Sequence, residues 1–184
     1  MRDLPFVRRS LRLLERALAA AGAVLLAYHA AFDLAEVVTP SMAPAVLGDG
    51  PGNGNDWVLT ERLSLGVTLP PRFGIVTSID EQGVTVLKRV AAFAGERVAI
   101  DDGALLVDGA LAANAPPVRY LRAGHLRPRA AAQDYAVGPE QVFLLGDNQR
   151  DSWDSRFLGG VRRDALRGRA VAIVWPPARW RWLW

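Results

Sequence analysis

The chain has 184 residues, 51% of them apolar and 22% charged, with a formal net charge of +3. That length suits one compact domain with an appendage, and the composition excludes a disordered tail or linker protein. Cysteine is absent, so disulfides, thiolate zinc sites and a cysteine nucleophile are excluded, and two histidines far apart in sequence, His29 and His125, make a poor metal site. Neither a metal nor another cofactor is expected. Of the 22 basic residues only Lys88 is a lysine. Arginine stays protonated in proteins whereas a buried lysine can lose its proton, so a lone lysine is a candidate neutral amine.

Residues 1–16 carry five arginines against Asp3 and Glu15, and Ala17–Phe32 then runs without an ionised side chain. The pattern predicts a basic cytoplasmic segment over 1–16 and a transmembrane anchor over 17–32. The apolar run is shorter than the roughly 20 residues of a spanning helix. Extension back toward Leu11, with Arg12 and Arg16 snorkelling, makes up the difference. The basic flank places the N-terminus in the cytoplasm and the rest outside, in the cell membrane as a single-pass protein. A cleaved signal peptide, an interfacial amphipathic helix and a buried core helix are rival readings. His29 reads as a helix-end residue, not a ligand.

Beyond Asp33 the pattern turns to short strands. They are expected at Trp57–Thr60, Gly74–Ile79, Val84–Val90, Arg97–Ile100, Ala104–Asp108, Val142–Leu145 and Ala170–Trp175. Asp102-Gly103 and Asp108-Gly109 are tight-turn dipeptides, and Gly48–Asp56 reads as an exposed loop. The fold class is mostly β: an antiparallel core over 33–100 and 137–184, with a smaller β/coil insertion over 101–136.

Within Val84–Val90, strand alternation puts Lys88 on one face with Val84, Val86 and Val90, and Arg89 on the other with Thr85 and Leu87. An amine on an apolar face is poorly solvated, which lowers its pKa and makes it a usable base. A lysine snorkelling at a strand end is the plainer alternative. Among the serines, Ser41 lies between Pro40 and Pro44, on a stiffened segment that suits a displayed nucleophile as well as an ordinary proline-rich turn. The stretch from Gly146 to Arg156 is dense in short polar residues, which points to a hydrogen-bonded scaffold.

Together these segments resemble the type I signal peptidases, membrane-anchored serine proteases with a serine–lysine dyad. The family's Ser-Met-x-Pro-(Thr/Ser)-Leu box appears as Ser41-Met42-Ala43-Pro44-Ala45-Val46, and its Lys-Arg-(Val/Ile) box as Lys88-Arg89-Val90, followed by Ala94-Gly95-Glu96 where the family usually has Pro-Gly-Asp. Its Gly-Asp-Asn-x-x-x-Ser-x-Asp-Ser-Arg box is complete from Gly146 to Arg156. The resemblance implies a β-sheet peptidase fold, Ser41 as nucleophile and Lys88 as general base. It implies an oxyanion hole from the Ser41 N–H and the Thr39 hydroxyl, and Ser152 as the hydroxyl that orients the lysine amine. Asp147, Asp154 and Arg156 would be structural supports. The implied partners are exported preproteins with small residues before the cut, and the lipid bilayer. Two departures are Arg72-Phe73-Gly74 in place of Arg-Gly-Asp, and Pro40 between Thr39 and Ser41.

Four of the six tryptophans fall in Trp175–Trp184 beside Arg179 and Arg181, which suits a membrane surface or packing on the β core. No groove-reading motif supports nucleic acid as a partner. A serine–lysine autoprotease and an inactive membrane-anchored peptide-binding β-module are the competing functions.

Overall fold

The computed structural model describes residues 4–50, 54–120 and 134–183. His125, part of the insertion and part of the Gly48–Asp56 loop lie outside the described residues. The chain divides into two units, Met1–Phe32 and Asp33–Trp184.

The first unit is one helix, α1 (Leu4–Ala31), of 28 residues. It continues through the basic segment because Leu, Arg, Ala and Glu are all good helix formers. Among the described residues no helix is long and apolar enough to cross a membrane. The reason lies in the sequence: Arg8, Arg9, Arg12, Glu15 and Arg16 occupy the first half of α1, and the apolar remainder, at 1.5 Å per residue, reaches only about 22 Å of a hydrocarbon layer of about 30 Å. His29 stands in the last turn, its ring edge-on to Tyr28 at 5.6 Å.

The second unit is antiparallel β, as expected. Its larger sheet holds β1 (Phe32–Glu36), β2 (Trp57–Glu61), β3 (Ile75–Ile79), β4 (Thr85–Phe93), β9 (Gln141–Leu145), β10 (Val161–Arg162) and β11 (Leu166–Trp175), in the order β1-β2-β11-β3-β4-β9-β10, with β12 (Arg181–Trp182) also on β11. The smaller sheet is ordered β7 (Ala110–Leu111), β6 (Ala104–Val107), β5 (Arg97–Asp101), β8 (Asp134–Ala136). All seven expected strands are present, and β1, β7, β8, β10 and β12 are additional. Because β5 pairs with β6 and β8, the smaller sheet begins at Arg97, ahead of the expected boundary at 101. Asp102-Gly103 and Asp108-Gly109 turn the two hairpins with positive φ at both residues, the geometry that matches the twist of the flanking strands.

Three features of this fold position the site. First, β4 pairs with β3 so that Lys88 lies opposite Val76 and Val86 opposite Ser78. Second, a bulge between Val90 and Ala92 in the β4–β9 ladder re-aims β4 just past Lys88. Third, Met42 and Val46 are fully buried in a cluster with Val58, Ile75, Ala170 and Ile173, which clamps the segment carrying Ser41 onto the sheet.

Candidate active site

Ser41 sits in a 3-10 turn, Pro40–Met42, with Pro40 at its start. Proline suits that place because it has no N–H to satisfy there, and it drives the preceding residue into extended geometry. Thr39 accordingly has φ −126° and ψ 147°, and its Oγ1 lies 3.3 Å from Ser41 Oγ. The proline between them thus leaves both hydroxyls on one cleft.

Lys88 is only 5% exposed and Ser41 6%. Lys88 Nζ is 2.9 Å from Ser41 Oγ and donates to the carbonyl of Leu87 at 3.1 Å. Burial pushes the Lys88 amine below its ordinary pKa; the negative charge of Asp154 pulls it up, Arg156 pushes it down, and Asp80 adds a smaller upward pull. The alternation read from the sequence holds: Lys88 and Val86 line a cleft together, while Arg89 turns to the opposite face.

The Gly146–Arg156 stretch forms a buried polar scaffold around the pair. Asp154 caps α2 (Ser155–Leu158), accepting from the Arg156 N–H at 3.1 Å. Its carboxylate also accepts from Arg156 Nε and Nη2, both at 2.8 Å, from the Gly146 N–H at 2.9 Å and from Ser152 Oγ at 2.7 Å. Arg156 further donates to Gln149 Oε1. Ser155 Oγ accepts from the Leu144 N–H at 2.9 Å, tying the loop back to β9. The Asn148 N–H donates to the Ser41 carbonyl at 3.0 Å, so this loop holds the serine segment directly. Ser152 therefore meets Asp154, whereas the resemblance implied that it meets the lysine amine. The Lys88 hydrogen bonds go to Ser41 and Leu87.

Asp147 pairs with Arg89, which reaches it through Nε at 2.8 Å and through Nη2. Arg89 Nη1 also donates to the Phe73 carbonyl at 2.6 Å. Phe73, at the departing Arg72-Phe73-Gly74 turn, has a φ of +66°. A side chain there costs about 1–2 kcal/mol, which the burial of its ring in the core offsets. Arg72 grips Glu96 through both guanidinium nitrogens, at 3.0 and 2.6 Å. Sequence reasoning did not single out Arg72, Arg89 or Glu96 as braces of the site. The adjacency of Arg89 to Lys88 on an alternating strand was the available signal.

The cleft beside the pair has a volume of about 600 Å³ and is lined by Ser41, Lys88, Ser78, Val86, Leu144 and Trp153 among others. Its walls supply a hydroxyl, an amine of lowered pKa and a second hydroxyl at Thr39. That set can do nucleophilic chemistry on a carbonyl, with the amine as base.

Such an arrangement on an antiparallel β scaffold suits hydrolytic chemistry. Residues 10–175 match the family described as signal peptidase, peptidase S26, and the chain belongs to that family. The chain is 30% identical over 139 residues to signal peptidase I of Leptolyngbya laminosa, covering 68% of this chain and 63% of that protein. It is 27% identical over 122 residues to plasmid transfer protein TraF of Escherichia coli, covering 60% and 67% respectively. The chain thus spans about two thirds of the length of these curated relatives. A crystal structure of a signal peptidase I from Enterococcus faecalis V583 is similar at 27% identity and a TM-score of 0.45, over 56% of this chain and 97% of that one.

Proposed function

We propose that this chain is a serine endopeptidase that removes N-terminal signal peptides from exported preproteins, with Ser41 as nucleophile and Lys88 as general base. The observation that carries the reading is the buried 2.9 Å contact between Lys88 Nζ and Ser41 Oγ. A neutral amine keeps one lone pair and two hydrogens. One hydrogen donates to the Leu87 carbonyl, and the lone pair accepts the Ser41 proton along the existing contact. The amine is depressed by burial, so it is available as a base at a lower pH than an exposed lysine.

Ser41 Oγ attacks the scissile carbonyl as its proton passes to Lys88. The negative oxygen of the tetrahedral intermediate is met by the Ser41 N–H and the Thr39 hydroxyl, each donor contributing about 3–4 kcal/mol. Protonated Lys88 then gives its proton to the leaving amine, and water, activated by the same lysine, hydrolyses the acyl-enzyme. Asp154, Arg156, Asp147 and Ser152 take no proton; they hold the two loops in register.

The substrates of this reading carry small residues before the cut. The protein would act at the cell membrane. In this reading the apolar half of α1 needs Arg12 and Arg16 to snorkel to the cytoplasmic headgroups before it can anchor the chain with the β unit on the extracytoplasmic side. Trp175, Trp180 and Trp182 are exposed, which supports contact of the C-terminal segment with lipid, while β12 pairing and the Arg179–Asp56 ion pair fix that segment to the sheet. The test is cleavage of a labelled preprotein in detergent. Ser41→Ala and Lys88→Arg are each expected to lose about 10⁴-fold or more. Activity retained in Lys88→Arg, which keeps the charge but cannot act as the base, overturns the reading.

A further inference from the structure

A cleft of about 600 Å³ is larger than the methyl groups of small residues need, and one of its walls is an indole that the reaction does not use. Trp153 lies between Ser152 and Asp154, both buried and hydrogen-bonded to each other, so its backbone is held on either side. Its ring stacks on Phe157 at 4.6 Å with 9° between planes. The buried Arg156 guanidinium lies 5.5 Å from the Phe157 ring centroid. The stacking on Phe157 holds the indole, and Trp153 remains 52% exposed. The cleft it lines also holds Val86, Leu144, Leu158 and Val161, alongside charged groups such as Asp151 and Arg162.

We propose that Trp153 is a specificity-determining residue: a preformed aromatic platform in the same cleft as Ser41 and Lys88 that binds an aromatic side chain of the substrate near its small residues. This rests on the reading of the cleft as a peptide site. An indole already stacked and backed pays little ordering entropy when a third ring docks on it, so the contact energy goes into binding. The ring that continues the stack must be flat, which selects Phe, Tyr or Trp over branched aliphatic residues.

The test uses the full chain in detergent, in a Ser41→Ala background so that peptides bind without being cut. Fluorescein-labelled Ala-x-Ala peptides carry a single phenylalanine, moved one position at a time along both flanks, with glycine peptides as partners. Anisotropy reads each dissociation constant. At one position phenylalanine is expected to bind about tenfold tighter than glycine. Adding Trp153→Ala is expected to collapse that ratio to within about twofold, and Trp153→Phe to keep most of it. A merely structural tryptophan would change both peptides alike and leave the ratio intact. Absence of any phenylalanine preference, or its survival in Trp153→Ala, overturns the proposal. Cleavage by the parent chain is scored separately. If the parent cuts nothing but the ratio collapses, the platform stands and the peptidase reading falls. If the parent cuts and the ratio survives, the reverse holds.

Discussion

Gly146 lies where the Gly146–Arg156 loop packs closely against the serine loop. A Cβ at this residue would overlap Ser152 Oγ and lie 2.5 Å from Ser152 Cβ and 2.6 Å from the Ser41 carbonyl oxygen. Restoring ordinary separation requires a displacement of roughly 0.8 Å or more, and neither neighbour can give way cheaply. The Ser41 carbonyl is backbone, and Ser152 is hydrogen-bonded to Asp154. Gly146→Ala therefore moves the Ser41 segment relative to Lys88, which is fixed on β4. A misplacement near 1 Å costs about 100-fold in rate, or about 2.7 kcal/mol of transition-state stabilisation. Overpacking costs a further ~1–3 kcal/mol of stability, which lowers the melting temperature by about 2–12 °C in a domain of this size. Preprotein cleavage kinetics and a thermal melt measure the two effects on one preparation. A variant that folds with the parent melting temperature and cuts at the parent rate refutes the claim that the two loops are locked here.

Three further outcomes follow from the same packing. Asp154→Asn leaves the Arg156 guanidinium buried without its counter-charge, so urea unfolding should show a loss of about 3–5 kcal/mol. At Phe73, with φ +66°, Phe73→Gly should be less destabilising than Phe73→Ala by about 1 kcal/mol, since glycine relieves the backbone strain that alanine keeps; equal losses would contradict the strain argument. For Lys88 the folded pKa lies below the unfolded one, so between the two values the unfolded chain holds the extra proton and stability rises with pH. Lys88→Met should therefore be more stable than the parent below the folded pKa, with a gain that shrinks as pH approaches about 10.4 in paired melts.

The parts legible in the sequence are those governed by a period. Alternation along Val84–Val90 showed which face Lys88 takes, and seven of the eight strands of four or more residues were expected; β1, whose first residue closes the apolar run of the helix, was missed. Strands of two or three residues, such as β7, β10 and β12, carry too few positions to show a period, and only pairing partners define them. The start of the smaller sheet at Arg97 was hidden for a related reason, because β5 reads as a strand whichever sheet it joins. At the site, the flanking prolines made Ser41 legible, whereas Thr39 came from the resemblance alone, and its extended backbone before Pro40 follows from local sterics. The partner of Ser152 was not legible. The capping of α2 by Asp154 curls the loop so that this carboxylate gathers the Ser152 hydroxyl, the Gly146 N–H and Arg156, and that closure is a tertiary event. The helix α1 shows the opposite case: its apolar half was visible, but strong helix formers in the basic half carry the helix well beyond it.

The central claim is that the Lys88 amine is uncharged when it meets Ser41. Because Lys88 is the sole lysine, chain labelled with ¹³Cε-lysine gives a single side-chain resonance, free of assignment ambiguity. Following its chemical shift from neutral to strongly alkaline pH in detergent titrates the amine directly. The account requires a midpoint clearly below the ordinary lysine value of about 10.4, moving upward when the folded chain is denatured. A midpoint at or above that value in the folded protein would contradict it.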